Sequence, residues 1–237
     1  MEDIRAFLTK TAKPYGIELS PEQEEQFQLY AELLAEWNEK INLTAITQPQ
    51  EIAVKHFLDS LLLLPELSMP KGASFIDVGT GAGFPGVALL ILRPDLRLTL
   101  LDSLQKRLLF LEDLLKKLGL KAELLHARAE EAGRKKEYRQ KFDFASARAV
   151  APMPVLCEYC LPFLRNGGVF AAMKGPAGPE ERKNAEHAVQ TLGCAIRGEK
   201  CYALPGGDER TLILISRVGP LLPAYPRQSA KIAKAPL

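Results

Sequence analysis

The sequence predicts an α/β protein: a seven-stranded, mostly parallel sheet with helices on both faces and an antiparallel hairpin at its end, behind an N-terminal helical extension. Three observations carry this. From residue 74 onward, apolar runs of strand character alternate with helical spacing, the pattern of a parallel sheet covered on both faces. The first run stops at a glycine cluster, FIDVGTGAGFPG at 75–86. Between the last two runs lies only Gly206-Gly207-Asp208, which leaves no room for a crossover helix, so those strands pair antiparallel.

Each element has its own signal. Residues 1–70 read as a helical extension. Ser20-Pro21-Glu22-Gln23 is a helix start with an N-cap serine, proline at the first helical position and a capping-box glutamine. Phe27, Tyr30, Leu34 and Trp37 then recur on one face. After the turn-like NLTAITQP, a third helix is expected to begin near Thr47, with Pro49 early and Gln50 three residues on, carrying Ile52, Phe57, Leu58 and Leu61. Strands are expected at 74–79, 97–102, 122–126, 142–147, 167–173, 195–203 and 210–216, with helices in most gaps. These make a main domain of 71–217. Residues 218–237, ending AYPRQSAKIAKAPL, read as a basic tail with a frayed end.

Composition bounds the function. At 237 residues with 47% hydrophobic and 25% charged, the chain builds a sizeable core and is not disordered. A formal net charge of +2 is too small for a nucleic-acid coat, so any such partner must meet a local patch. Residues 1–40 carry nine acids against four Lys and Arg, whereas 217–237 carry Arg217, Arg227, Lys231 and Lys234 and no acid. No apolar run reaches the roughly 18 residues of a membrane span, and MEDIRAFLTK lacks the regions of a signal peptide, so a cytoplasmic protein with no membrane partner is expected.

Two tempting motifs are discounted. Cys157-Glu-Tyr-Cys160 is a C-x-x-C, with Cys194 and Cys201 further on, but it sits in VLCEYCLPFL with both thiols on one apolar helix face; core packing is the better reading, and no metal is expected. His56, Asp59 and Ser60 contain the residue types of a catalytic triad, yet side chains three and four apart on one helix cannot surround a scissile bond.

In open α/β sheets the ligand lies beyond the carboxyl ends of the strands. After the first strand, Asp77-Val78-Gly79-Thr80-Gly81 fits the strand-end pattern of enzymes that use S-adenosylmethionine (AdoMet), while Gly81, Gly83 and Gly86 also satisfy the dinucleotide fingerprint G-x-G-x-x-G. Gly79, Gly81 and Gly83 permit tight turning and close ligand approach. Asp77 tips the balance, because a carboxylate there can hold the ammonium of a methionine moiety but would repel a pyrophosphate. Asp102 closes the second strand where an acid accepts from ribose hydroxyls; capping of the next helix is a compatible alternative. Ala129 and Glu130 follow the third strand in the loop that faces the adenine, a role favoured for Glu130 over that of a merely solvated charge. Arg148 ends the fourth strand, where its fork of donors faces a substrate phosphate or the cofactor edge, or makes an ordinary ion pair.

At this point the chain resembles the bacterial ribosomal RNA small-subunit methyltransferase G family, also called glucose-inhibited division protein B. The similarity runs through WNEKINLTAI at 37–46, HFLDSL at 56–61, DVGTGAGFPG at 77–86, LLDSLQKRLLFL at 100–111, RAE at 128–130, ARAVA at 147–151, MKG at 173–175, and YPR with the terminal PL. It departs at Ala147, where serine is usual, and at Ala230 and Ile232, where glycine and proline are common. The resemblance implies a Rossmann-like, class I AdoMet-dependent methyltransferase acting on N7 of a guanosine in the decoding region of 16S ribosomal RNA, within the 30S subunit or its precursor, as a monomer. By that resemblance Gly79, Phe84, Ala129, Glu130 and Arg148 contact AdoMet and Asp102 is the ribose acid; the residue reading adds Asp77 and Gly81. Arg148, Lys174, Arg227, Lys231 and Lys234 would face RNA. Guanine N7 already offers a lone pair, so no general base is expected and rate enhancement comes from positioning and desolvation. The alternatives are an AdoMet-dependent methyltransferase of another RNA, a protein or a small molecule, a dinucleotide oxidoreductase, and a non-catalytic RNA-binding module.

Overall fold

In the computed structural model, which describes residues 2–237, the seven strands form one sheet in the order β3-β2-β1-β4-β5-β7-β6. They span Ser74–Val78 (β1), Arg97–Asp102 (β2), Glu123–His126 (β3), Phe142–Arg148 (β4), Leu164–Lys174 (β5), Cys194–Ala203 (β6) and Glu209–Arg217 (β7). The first five run parallel, with Asp77 level with Leu100 on one side and Ser146 on the other. The hairpin forms as expected, but it folds back so that β7, antiparallel to both neighbours, is wedged between β5 and β6.

The sheet is buried on both faces because its apolar residues alternate in the period-two manner of strands. Phe75, Leu100, Phe144, Ala171 and Leu212 point into one core, and Ile76, Leu101, Ala145, Ala172 and Ile213 into the other. The first core also holds Ile4, Leu8, Phe27, Tyr30, Leu34 and Phe57 of the N-terminal helices. The expected extension is therefore continuous with the main domain through a shared core.

Helix α1 (Arg5–Ala12) packs on α2 (Pro21–Asn38), whose start has the expected reciprocal cap: Gln23 N–H donates to Ser20 Oγ at 3.3 Å and Ser20 N–H to Gln23 Oε1 at 2.9 Å. Phe27, Tyr30 and Leu34 are fully buried, while Trp37 lies at the rim and donates through Nε1 to Asp113 at 3.0 Å. The Tyr30 hydroxyl donates to the Ala82 carbonyl at 2.5 Å, which ties this helix to the glycine loop after β1. A Cβ on Gly83, whose φ is +94°, would collide with that hydroxyl.

The third helix starts at Pro49, two residues past Thr47 and with the proline early as expected, and Gln48 gives no side-chain cap. It opens as Pro49–Glu51, widens into π-helical turns over Ile52–Leu58 and closes as Asp59–Leu61. In a regular α-helix the Asp59 N–H would bond to the Lys55 carbonyl; here it reaches Val54 and His56. The Lys55 carbonyl accepts instead from Arg148 Nη1 at 3.0 Å, so the widened turn is what couples this helix to the end of β4.

The tail is not frayed. Helix Ser229–Lys234 docks on helix Met153–Cys160 with Ile232 fully buried. Its cations divide into two kinds: Arg217 is 4% exposed and donates to the Leu164 carbonyl, and Arg227 pairs internally, whereas Lys231 and Lys234 face solvent. Cys157, Cys160 and Cys194 are buried and Cys201 exposed, all four as free thiols; burial pushes the Cys194 thiol up to about 12. Among the described residues no helix is long and apolar enough to cross a membrane, and no group of three or more His, Cys, Asp and Glu is gathered for a metal.

Candidate active site

Two chambers open at the carboxyl ends of the parallel strands. The smaller one, roughly 230 Å³, lies between the ends of β1, β2 and β3 and is walled by Asp102, Ala129, Glu130, Val150 and Tyr159. The wider one, roughly 470 Å³, lies between the glycine loop, the π-helical turns and the end of β5. Gly79, Arg107 and Ala149 line both and so mark their junction.

The glycine loop is sewn to the end of β2. Gly79 and Thr80 N–H groups donate to the Leu101 carbonyl at 2.8 and 3.0 Å, and Gly81 N–H donates to Asp102 Oδ2 at 2.9 Å. Gly79 has φ +69°, and a Cβ there would lie 2.6 Å from Val150 Cγ2, so only glycine leaves the junction open. Opposite it stands Ala149, a non-glycine residue at φ +56°. That left-handed corner is held from behind by Lys174, whose Nζ donates to the Ala151 carbonyl at 2.9 Å and pairs with Glu181 at 2.7 Å; Glu181 also accepts the Met153 N–H.

Asp77 does not reach either chamber, contrary to its expected role on a ligand ammonium. It is fully buried behind the loop, where Oδ2 accepts from Thr80 Oγ1 at 2.7 Å and Gly86 N–H at 3.0 Å, and Oδ1 accepts from Ser146 Oγ at 2.8 Å. Burial raises its pKa, against which these hydrogen bonds favour the charged form. Its work is to shape the loop.

Asp102, 2% exposed, lines the smaller chamber: Oδ1 accepts the Leu104 N–H just before helix Gln105–Leu118, and Oδ2 accepts from Gly81 N–H at 2.9 Å and Arg107 Nη1 at 3.2 Å. Glu130 is 5% exposed, and its Oε1 is buried with no hydrogen-bond partner. An unpartnered buried carboxylate oxygen is costly in an isolated chain, because it forfeits hydration without gaining a donor. Arg107 escaped the sequence reading. Its position, five residues past Asp102 on the first turn of a helix leaving a strand end, was the available signal.

Phe84 and Arg148 face the wide chamber as parts of one stack. Tyr30, Phe84 and His56 lie ring on ring at centroid separations of 5.1 and 4.6 Å, and the Arg148 guanidinium lies 5.0 Å from the Phe84 centroid. Arg148 also donates to Asp59 Oδ2 and to His56 Nδ1, each at 3.2 Å. A guanidinium only donates, so His56 Nδ1 accepts and Nε2 carries the proton towards Thr44 Oγ1 at 2.9 Å. Ser60 Oγ donates to the His56 carbonyl, so no nucleophile–base pair exists there. Burial, then the Arg148 charge, depresses the His56 pKa to about 3. His56 is thus neutral when folded but titrates near 6.5 when unfolded. Stability from this group is complete above pH 6.5 and falls as the pH drops from there towards 3, by up to about 1.4 kcal/mol per unit. Chemical denaturation at pH 7 and pH 5 is expected to show a smaller acid loss in His56→Gln than in the parent; equal slopes would contradict it.

Of the residues expected to face RNA, Arg148 and Lys174 line the wide chamber, though Lys174 is 9% exposed and committed to Ala151 and Glu181. Arg227 is turned inward onto fully buried Glu158, with Nη2 and Oε2 2.7 Å apart. Lys231 and Lys234 remain exposed on the tail helix.

The chain matches known proteins over nearly its whole length. The profile of the family described as rRNA small subunit methyltransferase G matches residues 23–203. The chain is 48% identical over 233 residues to the ribosomal RNA small subunit methyltransferase G of Lactobacillus delbrueckii subsp. bulgaricus, covering 96% of this chain and 97% of that one. It is 45% identical to the protein of the same name from Desulforamulus reducens over the full length of both. Among solved structures, a SAM-dependent O-methyltransferase from Thermotoga maritima superposes with a TM-score of 0.53 at 16% identity, over 80% of this chain and 72% of that one, and shares the fold.

Proposed function

Because the chain belongs to the rRNA small subunit methyltransferase G family, we propose that its cleft binds AdoMet and directs methyl transfer to N7 of a guanosine in 16S ribosomal RNA, presented by the 30S subunit or its precursor. The observation that carries the cofactor reading is Glu130, a buried carboxylate without a donor in a small chamber that joins a basic one at a glycine. Glu130 and Ala129 would hold the adenine, Asp102 the ribose, and Gly79 and Gly81 the methionine end, with Phe84 and Arg148 bounding the junction on the substrate side. AdoMet supplies an activated methyl on a sulfonium.

The chain's own contribution is positioning. The wide chamber is lined by five cations (Lys55, Arg107, Arg148, Lys174, Arg210) against two carboxylates, Asp59 and Glu181, a balance that suits a phosphate-bearing partner. N7 lies on the major-groove edge, inaccessible in A-form RNA, so the base must arrive from a loop or be drawn from its stack. Thr44, Phe84 and the Arg148–His56 pair form the wall it would meet. N7 needs no deprotonation, and His56, neutral with both ring nitrogens engaged, is suited to hold Arg148 and not to move protons. The strained Ala149 corner, fixed by Lys174 and Glu181, supplies a rigid edge at the junction.

Labelled AdoMet offered with free 16S RNA, 30S subunits and 70S ribosomes, followed by mapping of the modified base, tests the whole reading; stabilisation by NAD in place of AdoMet would overturn it. AdoMet at about 100 times its Kd should stabilise the fold by about 2.7 kcal/mol. For Glu130→Ala, the loss of a charged acceptor is expected to raise the AdoMet Kd by about tenfold to 100-fold in calorimetry. An unchanged Kd would remove Glu130 from the site.

A further inference from the structure

The C-terminal segment reaches no chamber wall itself, yet it spans the backs of the two elements that form one. On one side, helix Ala129–Ala132 carries Ala129 and Glu130 and ends at Gly133, where a Cβ would lie 3.2 Å from Pro226 Cγ. Just beyond, Arg139 donates to the carbonyls of Leu222, at 3.1 Å, and Tyr225. On the other side, helix Met153–Cys160 places Tyr159 on the wall of the smaller chamber and, one residue before it, turns Glu158 to the tail. Glu158 is fully buried and accepts from Arg227 through its N–H at 2.6 Å, Nε at 2.9 and 3.1 Å, and Nη2 at 2.7 Å. Ile232, fully buried, seats the last helix on the same surface.

We propose that residues 222–232 form a clasp that sets the nucleoside affinity of the smaller chamber, with Arg227 and Glu158 as its positioning residues. The inference rests on the reading that the adenosine of AdoMet occupies that chamber. One segment locked to both walls fixes their separation and angle. A buried ion pair is a poor source of net stability compared with apolar packing, but its bidentate geometry admits one arrangement only. When the clasp opens, the walls relax and the competent fraction of the site falls, so the apparent Kd rises in proportion. Linkage makes the effect reciprocal: a nucleoside in the chamber must hold the clasp shut.

The test uses the full chain, with calorimetric binding of adenosine and S-adenosylhomocysteine and hydrogen exchange at 229–234. Arg227→Gln and Ile232→Asp are each expected to raise both Kd values by about fivefold or more, with Arg227→Lys recovering part of the loss. In the parent protein, S-adenosylhomocysteine is expected to slow exchange across 229–234, a response that a merely structural tail would not give. If Arg227→Gln does not fold, Ile232→Asp and the parent exchange experiment still decide. Kd values within about twofold of the parent, with 229–234 released, overturn the clasp alone, as does exchange that ignores the ligand. A parent protein that binds neither compound overturns the cofactor reading and the clasp together.

Discussion

Gly79→Ala is expected to raise the Kd for S-adenosylhomocysteine by about 100-fold or more, equivalent to about 2.7 kcal/mol. Two effects combine. Alanine at φ +69° costs about 1–2 kcal/mol in backbone conformation. Its Cβ also falls 2.6 Å from Val150 Cγ2, and relief requires Val150 to move with the Ala149 corner that borders both chambers. The Gly79 and Thr80 N–H bonds to Leu101 resist the opposite escape. Calorimetry reads the affinity and thermal melting the stability; a Kd within about tenfold of the parent would mean that the turn is not the seat of the ligand.

Arg148→Met is expected to cost about 2–4 kcal/mol of stability and to lower kcat/KM by about 100-fold. Methionine fills much of the arginine volume, so the loss is one of partners. Asp59, 1% exposed, would keep only Arg210 at 3.4 Å and Tyr202 at 3.2 Å; the Lys55 carbonyl and His56 Nδ1 would lose their donor. The remaining Arg210 contact places the cost below that of stripping a buried charge completely. Lysine restores charge without the fork, so Arg148→Lys should recover little. Equilibrium denaturation and single-turnover methylation provide the readouts, and a stability loss under about 1 kcal/mol would show that the cluster is not interdependent.

The strands and their carboxyl ends were legible because they are local signals: period-two apolar runs, a glycine cluster, Asp102 and Arg148 as the last residues of β2 and β4, and Glu130 four residues past β3. What the sequence concealed was the direction of side chains whose partners lie far along the chain. Asp77 turns away from the cleft because Ser146, 69 positions on, meets its carboxylate. Arg227 looks like a free cation until it is set beside Glu158, again 69 positions away. Lys174, expected to face RNA, closes with Glu181 on the backbone of 151–153. The widened turns at Ile52–Leu58 leave no mark in composition, since their stripe of apolar residues is that of an ordinary helix. The departure at Ile232 falls on the residue that seats the tail helix.

The wedged position of β7 bears on biosynthesis. Until Glu209–Arg217 has been made, β5 ends the sheet with Val169, Phe170, Ala171 and Ala172 along an unpaired edge, and β6 has no strand to join. A nascent chain halted before Arg217 therefore presents the kind of template that recruits other chains. The last strand to be synthesised both covers β5 and seats the edge strand β6, so a premature stop within it is expected to yield an aggregating fragment and not a weakened enzyme.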